Sequence, residues 1–470
     1  MRKLFYKSVA ALLIAVLIQS ASLHSALALS VGEERKIGEQ LLYQIRSAFS
    51  LVDDPDLVVY LRSLGKEVLD VAGLQYFDYY FYIVQSDEFN AFAAPSGLIF
   101  FYTGLIGAME SEDELVSVLA HEIGHVARRH LAGRVEKGKL VSAASLAVAL
   151  AALALGGGAA SQALFTGSLA AGQSAALHYS RKDEEEADLM AYGWMKEMRR
   201  HPQGQEKMLE TMRRVSRYRS DKLPQYLLTH PNPEYRLNYV QSLMVVDDQE
   251  LVSFEDTDDL EFLRFKYRVM STSDGAERLR EYLLSRITDS RLDSHGQLMA
   301  KYGLAQVERR MNNYTRSEAL LDQVIAAIPG WQILTTDKGV LLFEAGRPEE
   351  ARDLLARSFK KNPKDMYAAY NLARVNMALG NLDEAENLFK VVSYDLPQYA
   401  KVYFELGKIA TAKKEEAAAA MALGKYNLYE GKLKLAEFSL KQVLQHSQAT
   451  KQEKLEAERL LETIKRVQEK

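Results

Sequence analysis

The chain contains no cysteine among its 470 residues. That excludes disulfide bonds, thiolate metal ligands and a lipid carried on cysteine. Any metal site must therefore be built from histidine and carboxylate. Histidine is scarce, with nine residues, so two of them at a fixed spacing stand out. Charge of neither sign dominates. Fifty-nine basic residues face 63 acidic ones, for a net −4, and no basic patch suits nucleic acid. The apolar runs Ser8–Ile18 and Leu140–Leu155 are both short for a membrane-spanning helix. Without covalent cross-links the chain must hold itself together by core size, and its length allows two or three domains.

Residues 1–28 read as a secretory signal peptide. Arg2, Lys3 and Lys7 make a basic start, the apolar run follows, and Ala26-Leu27-Ala28 offers a small-residue cleavage site. An exported, cysteine-free chain of this size fits a bacterial periplasm better than the extracellular medium.

The stretch Ala120-His121-Glu122-Ile123-Gly124-His125 carries H-E-x-x-H between two segments of helical pattern. Residues four apart share a helix face, so His121 and His125 can point at one ion. Glu122 then stands beside the open coordination position, where its carboxylate can take the proton of an attacking water. Leu115, Val118 and Leu119 supply the apolar side that buries such a helix.

Upstream, Ser30–Ile45 and Asp56–Val71 have helical apolar spacing. Tyr76–Val84 and Leu98–Thr103 read as strands, with a turn-rich Asn90–Gly97 between them. The strand before the H-E-x-x-H helix is either an edge on which an extended substrate pairs or part of an ordinary core hairpin. Downstream, residues 140–177 carry no charge and are broken by Gly156-Gly157-Gly158. A mobile flap over the site is the preferred reading, ahead of a membrane-dipping loop or a buried hairpin. A helix then opens at Ser180. Glu184 and Asp188 share one of its faces, so one can ligate the metal while the other orients a ligand histidine. His230-Pro231 is a rigid turn that can bring an imidazole near the metal or simply cap a helix, and Arg236 can steady a carboxylate or an oxyanion.

Taken together, these pieces resemble the M48 zinc metallopeptidases. The matching motifs are Asn90-Ala91-Phe92 with the Pro95–Gly97 turn, the H-E-x-x-H of 121–125, S-R-x-x-E-x-x-A-D from Ser180 to Asp188, and H-P-x-x-x-x-R from His230 to Arg236. Ser96 stands where the family's turn usually has a second glycine. The resemblance implies a gluzincin-like site with one zinc per chain on His121, His125 and Glu184. It implies Glu122 as catalytic acid/base and Asp188 behind the ligands. It also implies that His230 can hold the enzyme latent or stabilise the transition state, with Arg236 accompanying it. Asn90, Ala91, Phe92 and Gly97 are the expected substrate-binding positions. The leader and the helical tail look like the periplasmic subgroup of Gram-negative bacteria. For that subgroup, clients would be stalled or misassembled outer-membrane β-barrel proteins and the partner the barrel assembly complex, with peripheral membrane contact and either proteolysis or a chaperone role leading.

The tail has its own signal. Pro329, Pro363 and Pro397 are spaced by 34, as are Gly339, Ala373 and Gly407. Small residues at helix crossings with proline at the exit make the tetratricopeptide pattern, whose stacked repeats present a concave surface to peptides or partners. A degenerate repeat is expected over 296–329, a variant repeat around Gly424 and Gly431, and a polar capping helix over 451–470. The expectation is a mostly α, α+β protein. Residues 29–244 form the metallopeptidase domain with a small sheet, 245–262 an acidic linker, and 263–470 the repeat solenoid.

Overall fold

The computed structural model describes residues 30–136, 179–218, 223–273 and 275–468. The leader and the whole charge-free 140–177 stretch, on which the flap was expected, lie outside them. No helix among the described residues is long and apolar enough to cross a membrane.

Helix α1 (Val31–Ala48) starts at a capping box, in which Ser30 accepts from the Glu33 amide and the Glu33 carboxylate accepts from Ser30. Helix α2 (Pro55–Val71) starts at Asp54, whose carboxylate accepts from the next turn, with proline at its first position. A three-stranded sheet follows, in the order β1 (Tyr80–Val84), β3 (Leu98–Tyr102), β2 (Ala91–Ala94). β1 runs parallel to β3 and β2 antiparallel to it.

Two expectations change here. The stretch read as a turn contains strand β2, and only Pro95–Gly97 bends. The strand before the motif helix, β3, is the centre of the sheet and no edge. The outer strand on the motif side is β2. Ser96 has φ 68°, the left-handed region, which explains why a glycine suits that position.

A short helix α3 (Thr103–Ala108) leads to α4 (Glu112–Ala127), which carries the motif and is buried on every side from Glu112 to Val126. Then come α5 (His130–Glu136), α6 (Arg181–Glu197), α7 (Gln203–Tyr218), α8 (Gln225–Thr229) and α9 (Pro233–Val246).

The acidic stretch is held rather than free. After the turn α10 (Asp248–Leu251), Asp259 accepts from the Glu112 amide at 2.7 Å. Asp247 bonds Tyr192 and Lys196 on α6. Helix α11 (Leu260–Thr272) is sunk between the two halves of the chain, and one continuous apolar core runs through it. Its Arg264 and Arg268 bridge Asp54 and Asp56 at the start of α2 to Asp337 in the repeats.

The remaining helices pair antiparallel. They are α12 (Ala276–Ile287), α13 (Ser294–Arg310), α14 (Tyr314–Ala327), α15 (Gln332–Glu344) and α16 (Pro348–Lys361). Next are α17 (Met366–Ala378), α18 (Leu382–Asp395), α19 (Ala400–Ala412), α20 (Glu416–Tyr429), α21 (Leu433–Gln445) and the terminal α22 (Lys451–Gln468). The 34-residue interval marks real crossings. A Cβ on Gly339 would lie 2.7 Å from Leu355 Cγ, so the helices of that repeat meet only over glycine.

The solenoid curls back onto the N-terminal helix. Gly431, with φ 74°, seats against the backbone of Tyr43 and Ser47. Arg46 reaches the backbone of Tyr429 and both oxygens of Gln398. Arg466 on α22 pairs with Glu39 at 2.9 Å.

Candidate metallopeptidase centre

Ser111 caps α4, and three acidic residues fill its first turn, complementing the positive end of the helix. Three turns later, at Gly124, α4 crosses α6. An added Cβ there would be 3.3 Å from Ala187 Cα. That close crossing brings the two histidines of α4 to the carboxylates of α6.

His121, His125, Glu184 and His230 form one buried cluster, with a ligand atom from each within 4.8 Å of the others. His121 Nε2 and His125 Nε2 lie 3.0 Å apart. Glu184 is 3.6 Å from the first and 3.5 Å from the second. The outward face of His121 is fixed by Asp188, whose Oδ1 is 2.9 Å from Nδ1. Arg236 binds Asp188 through two hydrogen bonds and lies 2.8 Å from Glu184. Of the choices open in the sequence, Glu184 faces the two histidines and Asp188 stands behind one of them.

His230 is fully buried at the end of α8, where its backbone amide caps the helix on the Tyr226 carbonyl and its imidazole reaches the cluster. Its Nδ1 is 3.1 Å from Glu184 and 3.3 Å from His121 Nε2, and its Nε2 is 3.5 Å from Glu122 Oε1. Both Glu122 oxygens and His230 Nε2 are buried without a side-chain hydrogen bond among the described residues, and Glu184 Oε2 has the Arg236 guanidinium at 2.8 Å as its ion-pair partner. Two buried carboxylates sharing one guanidinium are only partly compensated, and a bound cation with its water would satisfy the atoms left over. The donor set of imidazole and carboxylate therefore fits a divalent metal.

Electrostatics agree. Burial raises the Glu184 carboxyl to about 7 and also raises Glu122. Burial acts upward on Asp188 too, but the Arg236 guanidinium overrides it and holds that carboxyl well below the usual range. Burial and the neighbouring histidines keep His125 well below an ordinary histidine, and hence neutral.

Of the expected substrate positions, Ala91 faces α4, as does its neighbour Ala93, while Phe92 packs in the layer between sheet and α1. The Ala93 backbone meets Glu122. Asn90 is buried and its backbone carbonyl accepts from the Tyr102 amide at 3.1 Å. Gly97 answers a local need: φ is 80° and a Cβ would stand 2.4 Å from the Asp78 carbonyl oxygen.

Three neighbours were not picked out in the sequence. Tyr179 stacks on His125 at 3.8 Å, Tyr226 on His230 at 4.4 Å, and His130 bonds His125 at 2.9 Å. Tyr226 lies four residues before His230, a helical spacing that could have flagged it.

An H-E-x-x-H helix joined by a glutamate from a second helix defines a gluzincin-like metalloendopeptidase. The chain belongs to peptidase family M48: residues 57–244 match that family, and 342–406 match the tetratricopeptide repeat. It is 30% identical over 381 residues to the "Beta-barrel assembly-enhancing protease" of Escherichia coli, covering 78% of this chain and 74% of that one. It is 27% identical over 183 residues to the "Mitochondrial metalloendopeptidase OMA1" of Schizosaccharomyces pombe, covering 39% and 52%. Among solved structures, the tetratricopeptide protein YrrB aligns over 50% of this chain and 99% of its own, at 18% identity and a TM-score of 0.27.

Proposed function

We propose that the chain is a periplasmic zinc endopeptidase of protein quality control that cleaves misfolded or stalled outer-membrane β-barrel proteins. Its repeat domain would bind clients or the barrel assembly complex. His121, His125 and Glu184 hold one zinc, which when bound polarises the scissile carbonyl and acidifies water. Glu122 accepts the proton from the attacking water and passes it to the leaving amine. Asp188 fixes His121, Arg236 anchors Asp188 and Glu184, and β2, the outer strand beside α4, aligns an extended substrate. The observation that carries this reading is the convergence of four side chains able to hold a metal beside the buried Glu122 carboxylate. The name of the Escherichia coli relative supports the client class, and the leader-like residues 1–28 support the compartment.

A second reading, a chaperone with a latent site, draws on His230, which occupies the donor cluster at rest. Incubating an unfolded barrel protein with wild type and Glu122→Gln, each with bound zinc quantified, tests both. Cleavage by wild type alone, with zinc equal in the two, is expected. Cleavage by neither, together with full rescue of a deletion strain by Glu122→Gln, would replace the first reading with the second.

A further inference from the structure

Helix α4 breaks just past its second histidine, and the break is made without glycine. Arg129 takes φ 52°, a left-handed conformation that costs an ordinary residue about 1 kcal/mol. Its guanidinium pairs with buried Glu34 on α1 at 2.8 Å. The kink turns the next residue, His130, back onto the helix it has just left. Residues five apart on a continuous helix point about 140° away from each other, so the His125–His130 contact exists only because of this kink.

We propose that His130 and Glu186 form a positioning relay that fixes His125 with its Nε2 toward the metal, an inference that rests on the zinc reading above. The proton logic has one solution. An imidazole that offers Nε2 to a metal carries its proton on Nδ1. His125 Nδ1 is 2.9 Å from His130 Nδ1, which must then be the acceptor. The His130 proton is left on Nε2, 3.2 Å from Glu186 Oε2. Each proton has one place, and the chain ends on a carboxylate. Tyr179, stacked on the His125 ring at 28°, holds the plane while the relay sets the rotation about it.

The two ligand histidines are thus backed differently. His121 leans directly on Asp188, whereas His125 leans on a neutral ring with its carboxylate one step further out. Glu186 also shows why the acidic run at 183–186 is not all solvated face: its relay oxygen points inward while the other faces Lys182 at 3.7 Å.

The test uses the full chain as wild type, His130→Leu, His130→Asn and Glu186→Ala. Zinc affinity is measured by competition with a chromophoric chelator, and the melting temperature of each metal-free protein is recorded. His130→Leu should weaken zinc about 10–100-fold. His130→Asn, whose Oδ1 falls near the place of Nδ1 and accepts the same hydrogen, should restore most of it. Glu186→Ala, at a half-exposed site that leaves the ring packed, should give a smaller loss at unchanged melting temperature. Wild-type affinity in His130→Leu overturns the relay, as does an Asn variant as weak as Leu. Wild type that holds no zinc sinks the metal reading itself, a result the other arms cannot mimic.

Discussion

Arg236 grips Asp188 by two parallel hydrogen bonds, Nε to Oδ2 at 2.8 Å and Nη2 to Oδ1 at 2.7 Å. The same guanidinium sits 2.8 Å from Glu184, so one cation serves two buried carboxylates. Neither carboxylate has solvent to fall back on. Arg236→Leu leaves both uncompensated and should cost about 3–5 kcal/mol of stability and most zinc affinity. Arg236→Lys keeps the charge but loses the planar fork, and should recover only part. Thermal unfolding with and without zinc checks the order. Equal stability of all three proteins would contradict it.

Glu122 and His230 should move activity in opposite directions. Glu122→Gln removes the base without changing shape and should lower cleavage about 10²–10⁴-fold with zinc retained. His230→Ala withdraws a side chain from the donor cluster and should raise cleavage of an unfolded substrate. A slower His230→Ala enzyme with zinc still bound would assign His230 to transition-state stabilisation and not to latency.

Glu114 supplies a pH dependence away from the metal. Burial raises its carboxyl from an ordinary glutamate value to about 7. A raised acid binds its proton more tightly when folded, so the penalty for ionising it is absent below about 4.5, grows with rising pH, and is complete above about 7. Glu114→Gln should therefore match wild type near pH 4.5 and exceed it by about 3 kcal/mol above pH 7. Unfolding of the two proteins across that range measures the difference directly, and a pH-independent gap would refute it.

Gly431 tests the seam between repeats and peptidase. With φ 74° and a Cβ that would lie 2.5 Å from the Tyr43 carbonyl oxygen, Gly431→Ala is strained twice. A loss of about 1–3 kcal/mol and faster proteolysis at the α20–α21 turn are expected. Gly346→Ala, also at positive φ but with open space around it, should cost less and serves as control.

What could be read from the sequence was whatever depends on spacing along one element. His121 and His125 on one turn, Glu184 and Asp188 on another, and the 34-residue crossings all follow from helical arithmetic. Strand β2 escaped because alanines beside Pro95-Ser96-Gly97 look like turn, and only pairing with β3 makes them strand. His130 escaped because its contact depends on a left-handed arginine that no propensity announces. The embrace of α1 by the repeats joins residues such as Arg46 and Gln398, 352 positions apart, which no local pattern links.

That embrace sets an order of assembly. Glu39 and Arg466 are 427 positions apart, so the contact between them closes nearly the whole chain into a loop. Contacts of such separation form late, because the entropy of loop closure must be met before they return anything. The repeats can stack locally as they emerge, each on its neighbour. Helix α1 emerges long before its last partners exist and must wait for them, keeping the half-buried face around Tyr43 and Arg46 open in the meantime. The expected outcome is that destabilising α20–α22 slows the last step of refolding, followed by fluorescence, more than the first.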